Sequence, residues 1–284
     1  MRGALFALAY IIAAPILGGL LAGIDRILNA RMQSRVGPPL LQPFYDVFKL
    51  FQKNRIVVQR SQSFYAIGFL IFMIVTGAIF FSGGDLLLTI FALTVATVFL
   101  VIGAYAVNSP YSSVGAQREL LKMMAYEPMV IIMAIGMYMV TRSFAVSDIA
   151  GSTTPLIEYL PGIFLGFLFI LTIKLQKSPF DIATSHHGHQ ELVKGITTEF
   201  SGPDLALIEI THWYENILLL GFVFLFFAWN VPLAILAVMV TYFIEIFIDN
   251  VYARLTWRFT VVGSWIVAAV LGAGNIIILE LFVR

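Results

Sequence analysis

The chain has 284 residues, of which 60% are hydrophobic and 12% are charged, against roughly 25% charged residues in a soluble domain. Its net charge is +1 and it contains no cysteine, so disulfides and cysteine-ligated zinc or iron–sulfur centres are excluded from this chain. The composition predicts an all-α polytopic membrane protein that forms a single domain over residues 1–284.

Long apolar runs recur along the chain, and a transmembrane helix needs about 20 largely apolar residues. Breakers such as Gly83-Gly84 and Pro161-Gly162 separate neighbouring runs. The pattern predicts eight spans, at residues 3–24, 64–82, 86–107, 127–141, 162–174, 205–229, 231–248 and 259–282.

Lysine and arginine are distributed unevenly over the connections between these spans. Of the 17 basic residues, all but Arg2, Arg142 and Arg284 fall at or in the connections that follow spans one, three, five and seven. Basic connections tend to stay in the cytoplasm. The sequence therefore predicts that these four connections are cytoplasmic and that both termini lie outside.

The connection after the first span contains an amphipathic segment at residues 35–53. On a helix, one face would carry Leu40, Phe44, Val47, Phe48 and Phe51. Pro38 and Pro39 can open such a helix, because its first turn does not use their missing N–H groups. The segment can anchor the chain to lipid or pack between the spans and a soluble partner, and the periodicity leaves both options open.

Several ionisable residues lie inside predicted spans, where a charge costs about 3 kcal/mol and usually faces a polar interior. Span six contains Glu209, His212 and Glu215 at spacings of three, Glu127 opens span four, and Glu245 lies near the end of span seven. These residues are candidates for a proton or ion pathway. The alternative is that they are structural hydrogen-bond partners or lie at the headgroups.

The connection at residues 177–202 is rich in titratable groups. Its acids are Asp181, Glu191 and Glu199, and its histidines are His186, His187 and His189. Histidines titrate near neutral pH and can transfer protons there. A metal site and a simple contact with another subunit are the competing interpretations. The connection at 108–127, with Arg118, Glu119 and Lys122, is expected to carry weak surface ion pairs.

Five ordered blocks of the sequence resemble one membrane-protein family. They read RVGPP–LQP with Asp46 and Lys49, then SSVGAQRE–AYE, SPFD, ELV–EFSG, and DNVYARLTW at 249–257. The chain resembles the subunit of respiratory complex I that joins the membrane arm to the hydrophilic arm (the NADH dehydrogenase subunit 1 family). It also resembles the counterpart of that subunit in energy-converting, formate-hydrogenlyase-type nickel–iron hydrogenases.

The connection after Asp181 distinguishes the two branches. Complex I members usually continue with a short run of alternating glutamates, whereas this chain continues with IATSHHGHQE at 182–191. The His-Gly-His-Gln-Glu-Leu-Val version resembles the hydrogenase branch.

The resemblance implies a role and a set of partners. It implies a non-catalytic membrane anchor and coupling subunit that links ferredoxin-driven proton reduction, or hydrogen oxidation, to H⁺ or Na⁺ transport in a prokaryotic cell membrane. It also implies partners: the hydrogenase large and small subunits, an iron–sulfur subunit and antiporter-like membrane subunits. The nickel–iron centre and the iron–sulfur clusters would belong to those partners. Residue by residue, it implies an acidic path through Asp46, Glu127, Asp181, Glu191, Glu199 and Glu215, with Arg35, Lys49 and Arg118 at its cytoplasmic mouth. The candidates for contact with partner subunits are Arg35, Lys49, Arg118 and Lys122.

Two alternatives stay open at this point. One is the quinone-site subunit of a complex I-like NADH or F420H2 dehydrogenase, which would need a headgroup cavity under residues 35–53. The other is a stand-alone ion-coupled transporter that uses Glu209 and Glu215, although the internal repeats common in such transporters are not visible.

Overall fold

The computed structural model describes residues 2–54, 59, 61–181 and 194–282, and these residues are almost entirely helical. They contain no β-strand, and Asp85 and Ala145 pair only as an isolated bridge. The helices are α1 (Arg2–Met32), α2 (Gln42–Gln52), α3 (Ser61–Phe81), α4 (Leu86–Tyr105), α5 (Pro110–Thr141), α6 (Val146–Gly151), α7 (Leu156–Tyr159), α8 (Pro161–Lys174), α9 (Gly202–Phe226), α10 (Val231–Val251), α11 (Trp257–Val267) and α12 (Gly274–Phe282). A 3₁₀ turn at Gly195–Thr197 precedes α9, and a π-helical segment at Ala268–Ala273 joins α11 to α12.

Six helices of the described chain are long and apolar enough to cross a membrane: α1, α3, α4, α5, α10 and the continuous α11–α12 unit. This confirms the predicted all-α polytopic fold. Two of the eight predicted spans, those at α8 and α9, are not among these six helices. Helix α8 is apolar but has only 14 residues, about 21 Å against a hydrocarbon core of about 30 Å, and α9 has 25 residues but includes Asp204, Glu209 and Glu215. The count of eight spans therefore stays a prediction.

Helix α5 corrects the expectation for residues 108–127. This segment is not a loose connection but the first half of a 32-residue helix that continues into the predicted fourth span. Lys122 is 2% exposed, and its ammonium lies 2.9 Å from the carboxylate of Glu119. The expected weak surface ion pair is thus a buried one, and Lys122 has no surface to offer another subunit.

Helix α2 also differs from its prediction. It begins at Gln42 with Pro43 in its first turn, so Pro38 and Pro39 lie in the preceding turn and do not open it. Pro43 and Val47 are buried, whereas Phe48 is 65% exposed. Of the predicted apolar stripe, Phe44 and Val47 therefore contact the bundle, whereas Leu40, Phe48 and Phe51 are exposed.

The two ends of the bundle have different compositions. At one end, which we call the α2 end, Asp25 in the C-terminal part of α1 and Asp249 in the last turn of α10 meet Lys177 in the segment after α8. At the other end, Asn275 of α12 accepts hydrogen bonds from the Gly162 and Ile163 N–H groups that open α8. The middle is filled by close-packed apolar side chains, including Phe69, Phe167, Phe222, Met129 and Met133.

Candidate functional site: a polar path through the bundle

Two cavities open at the α2 end. The larger, about 450 Å³, is lined by residues of α1, α8, α9 and α10, among them Asp25, Lys177 and Glu209. The second, about 330 Å³, lies beneath α2 and is lined by Lys49 and Asp46. The cavities adjoin, because Glu209 and Trp213 of α9 line both, together with Ala22, Arg26 and Lys194.

Helix α2 is held over these cavities by one aromatic contact and one ion pair. The ring of Phe44 packs on Trp213 of α9 at a centroid distance of 5.1 Å. The guanidinium of Arg26 lies 2.5 Å from the carboxylate of Asp46, which also accepts a hydrogen bond from Gln42 at 2.9 Å. Partial burial by itself would raise the pKa of Asp46, but the hydrogen bonds from Arg26 and Gln42 and the positive charges nearby hold that pKa below its ordinary value.

The segment between α8 and residue 181 is fixed by charges from three directions. The Lys177 ammonium lies 2.5 Å from Asp25 and 3.5 Å from Asp249, and the Ser178 N–H donates to Asp249 at 2.9 Å. Asp181 is buried and lies 2.5 Å from the guanidinium of Arg254. Asp181 is therefore a paired acid at the edge of the larger cavity.

Deeper in the bundle, α8 and α9 bring three ionisable groups together. The Lys174 ammonium donates to one oxygen of Glu215 at 2.8 Å, and the other oxygen lies 3.1 Å from Nδ1 of His212. The side chains of Lys174 and Glu215 are only 5% and 8% exposed. Because His212 and Glu215 are three residues apart on α9, they lie on one side of the helix, facing the end of α8. We call Lys174, His212 and Glu215 the central cluster.

Helix α5 adds further groups beside the central cluster. The Tyr126 ring lies under the Lys174 ammonium, 4.3 Å from it, in a cation–π contact. The buried pair of Glu119 and Lys122 lies on the same helix, and Glu119 is close enough to interact electrostatically with His212 and Tyr126. A change of charge at one of these groups will alter the proton affinity of its neighbours, because they lie close together and interact electrostatically.

Glu127 lies on the far side of the central cluster. It is half-buried and accepts a hydrogen bond from Thr94 of α4 at 3.2 Å. A cavity of about 10 Å³ lies between α4, α5, α8 and α9, and both Glu127 and Lys174 line it. The described ionisable groups thus extend from the α2 end through the central cluster towards Glu127.

The structure brings some of the sequence-predicted residues together and leaves others apart. His212 and Glu215 meet in the central cluster, with Glu209 at its cavity side. Glu245 is 1% exposed on α10, and its Oε2 has no hydrogen-bond partner in the described part of the chain. Glu199 lies half-buried in the turn before α9. Arg35, Lys49 and Arg118 are exposed. His186, His187, His189 and Glu191 lie outside the described residues.

Sequence reasoning missed the partners of these acids. It treated Lys174, Lys177 and Arg254 only as part of the basic charge bias, whereas they hold Glu215, Asp25 and Asp181. The sequence gives one weak indication that Lys174 is buried: it directly follows an uninterrupted apolar run.

The fold and the site together define an all-α polytopic membrane protein whose interior carries paired ionisable groups. A family model described as NADH dehydrogenase matches residues 5–280. The chain therefore belongs to the NADH dehydrogenase family, and the resemblance drawn from the five sequence blocks is confirmed.

The curated relatives are components of larger complexes. Hydrogenase-4 component C of Escherichia coli K12 is 31% identical over 220 residues, covering 72% of this chain and 68% of that protein. Formate hydrogenlyase subunit 4 of the same strain is 26% identical over 74% of this chain and 73% of that protein. A component of the F420H2 dehydrogenase of Methanosarcina mazei is 29% identical over 78% of this chain and 72% of that protein.

A solved structure shares the fold. One chain of the membrane-bound sulfane sulfur reductase, an archaeal respiratory membrane complex, superimposes with a TM-score of 0.82 at 23% identity, covering 97% of this chain and 100% of that one. The fold is therefore shared, and the similarity to the hydrogenase and dehydrogenase components shows that the chain is a multi-span membrane subunit of an energy-converting complex with partner subunits.

Proposed function

We propose that this chain is the membrane anchor and coupling subunit of an ion-translocating nickel–iron hydrogenase complex. Ferredoxin-driven proton reduction, or hydrogen oxidation, would take place in the peripheral arm, and this chain would transmit its charge changes to H⁺ or Na⁺ transport. The central cluster carries the proposal, because it places paired, buried ionisable groups between the open cavities and Glu127. The 31% identity to Hydrogenase-4 component C favours the hydrogenase branch.

The partners and the location of the complex are part of the same proposal. The exposed Arg35, Lys49 and Arg118 would contact the hydrogenase large and small subunits and an iron–sulfur subunit, while apolar faces of the bundle would contact antiporter-like subunits. The nickel–iron centre and iron–sulfur clusters would be held by those partners, since this chain has no cysteine. The complex would lie in a prokaryotic cytoplasmic membrane, with the basic connections inside and the termini outside.

The coupling mechanism would be electrostatic. A proton that reaches Glu209 or His212 from the cavities changes the charge beside Glu215, and this changes the strength of its pairing with Lys174. The altered charge is then felt at Glu119 and Glu127, because like charges repel and unlike charges attract across a low-dielectric interior. No bond chemistry is required of this chain.

The test is ion transport in proteoliposomes that contain the assembled complex. The Glu215→Gln variant should keep hydrogen turnover but lose most of the transport coupled to it, since the central cluster can no longer change charge. Glu158→Gln is the matched control, because Glu158 is exposed near α7 and should leave both rates unchanged. Full transport in the Glu215→Gln complex would remove the coupling role.

A quinone-site subunit is the second candidate, favoured by the cavity of about 330 Å³ beneath α2, where such a headgroup would have to bind. The similarity to the F420H2 dehydrogenase component is compatible with it. Purification of the native complex in mild detergent separates the two. Nickel and iron in the complex support the hydrogenase, and a bound quinone without nickel supports the alternative. The relatives are components of larger complexes, which gives a stand-alone transporter no support.

A further inference from the structure

The small cavity between α4, α5, α8 and α9 has room for one water molecule. Its volume is about 10 Å³, close to the minimum of roughly 10–15 Å³ that a buried water needs together with two to four polar partners. Most of its lining is apolar, but Thr94, Tyr126, Glu127 and Lys174 also line it. The polar groups needed to hold a water are therefore present around this space.

Two of these groups have unused hydrogen-bonding capacity. The hydroxyl of Tyr126 is buried and makes no hydrogen bond of normal geometry to the described residues, a costly arrangement for a polar atom, although the Lys174 ammonium is close enough to interact with it electrostatically. The Lys174 ammonium has three donors, one of which is directed to Glu215, and the face of the Tyr126 ring lies beside it. Both groups can donate to a water placed between them and Glu127.

Lys174 lies at the boundary between two spaces. It lines the larger cavity of about 450 Å³ together with Glu209 and His212, and it also lines the small cavity together with Glu127. Lys174, which pairs with Glu215, therefore stands between the larger cavity and the small cavity that Glu127 lines.

We propose that Lys174 connects Glu215 to Glu127 through a water bound in the small cavity. When Glu215 is neutralised by a proton from the larger cavity, the ammonium turns from Glu215 towards the water and Glu127. The proton stays on Glu215 and the ammonium keeps its hydrogens, so only the partner of the positive charge changes. This role in transport rests on the proposed function, but the movement and the water site do not.

A structure of the assembled complex with the Glu215→Gln substitution tests the movement, because glutamine mimics the neutral acid. We expect density for a water within hydrogen-bond distance of Tyr126 and Lys174, with the Lys174 ammonium turned towards it and away from residue 215. Glu209→Gln is the matched control, since that acid does not pair with Lys174, and there the 2.8 Å contact with Glu215 should persist. An unmoved ammonium in the Glu215→Gln structure, or a small cavity without water density, would overturn the proposal.

The second measurement is ion transport by a Tyr126→Phe complex, which loses only the hydroxyl. Transport should fall about tenfold while hydrogen turnover and assembly are kept, as expected when one hydrogen bond is removed from a transfer path. Tyr138→Phe is the control, because Tyr138 is exposed on the same helix and stacks on Phe144, and it should transport ions as the wild type does. Wild-type transport in the Tyr126→Phe complex as well would contradict a water relay. If the wild-type complex transports no ions, the proposed function fails, whereas the Glu215→Gln structure still decides the behaviour of Lys174.

Discussion

At the scale of single residues, Lys174 and Glu215 are charged side chains that the bundle buries together. Removing one partner of such a pair leaves an uncompensated charge in a low-dielectric interior, which costs about 3–5 kcal/mol. We therefore expect Lys174→Gln to lower the thermal stability of the detergent-solubilised complex strongly. Glu158→Gln, at an exposed position in α7, should change it by less than about 0.5 kcal/mol.

The double variant Lys174→Gln/Glu215→Gln separates pairing from general disruption. It removes both charges at once, so it should be more stable than Lys174→Gln alone although it carries more changes. Independent, additive losses in the thermal scan would show that the 2.8 Å contact does not hold the two helices together.

Asp46 gives a pH-dependent prediction outside the spans. Its pKa in the folded protein is held below the ordinary value by Arg26 and Gln42, so the contact stabilises α2 above the ordinary pKa and is lost as the pH falls through the lower folded value. The protection of the α2 amides against hydrogen exchange, corrected for the intrinsic pH dependence of the exchange rate, should be constant between about pH 5 and pH 8 and should fall only in strong acid. The Asp46→Asn variant should lack the acid-dependent step, and a step near neutral pH in the wild type would assign the anchoring of α2 to another group.

At the scale of elements, α8 is short and depends on another helix for its start. Its residue before the first turn, Leu160, supplies no side-chain cap. Instead, Asn275 of α12 accepts from the Gly162 and Ile163 N–H groups at 2.8 and 3.1 Å and donates to the Tyr159 carbonyl at 3.0 Å. The cap of α8 is thus a tertiary contact, supplied from more than a hundred residues away in the sequence.

This arrangement predicts graded effects at position 275. Asn275→Ala removes all three hydrogen bonds and should cost about 1–2 kcal/mol, in the range of a lost helix cap. Asn275→Asp keeps the acceptor oxygen and should cost less. Thermal unfolding of the two variants in the same detergent checks the order, and equal losses would mean that the acceptor bonds to α8 contribute nothing.

The same elements show why sequence reasoning reached the helices but only part of the site. Apolar length and breakers locate α3, α4 and α10 within three residues, since each of these signals is local to its helix, whereas α1 continues eight residues beyond its predicted end at residue 24. On α2 the predicted apolar stripe is only partly buried, since Phe44 and Val47 pack on α9 whereas Phe48 and Phe51 are exposed, and periodicity does not say what a face will contact. Lys174 and Glu215 are separated by 41 residues, and Lys177 and Asp25 by 152, so no local pattern could pair them.

At the scale of the whole molecule, the two ends of the bundle carry different groups, and this agrees with the predicted alternation of the connections. The α2 end collects Arg26, Lys177 and Arg254 with the acids that pair with them. The short helices α6 and α7 lie in the connection between α5 and α8, which the charge bias assigns to the opposite side of the membrane. The orientation of the chain therefore reduces to one question, which is the side of the membrane that α2 faces.

Because the chain has no cysteine, single introduced cysteines answer that question without background labelling. Lys53→Cys lies at the exposed end of α2, and Gly151→Cys lies at the end of α6, where an added side chain meets nothing within 4 Å. In sealed vesicles of known orientation, an impermeant maleimide added to the cytoplasmic side should label Lys53→Cys and not Gly151→Cys, and it should do the reverse from the outer side. The positive-inside distribution requires this result, because all but three of the basic residues belong to the connections on the side of Lys53. Labelling of both positions from one side would contradict the predicted alternation of the connections. Labelling in the inverted order would place the two cavities on the outer side and contradict the predicted orientation.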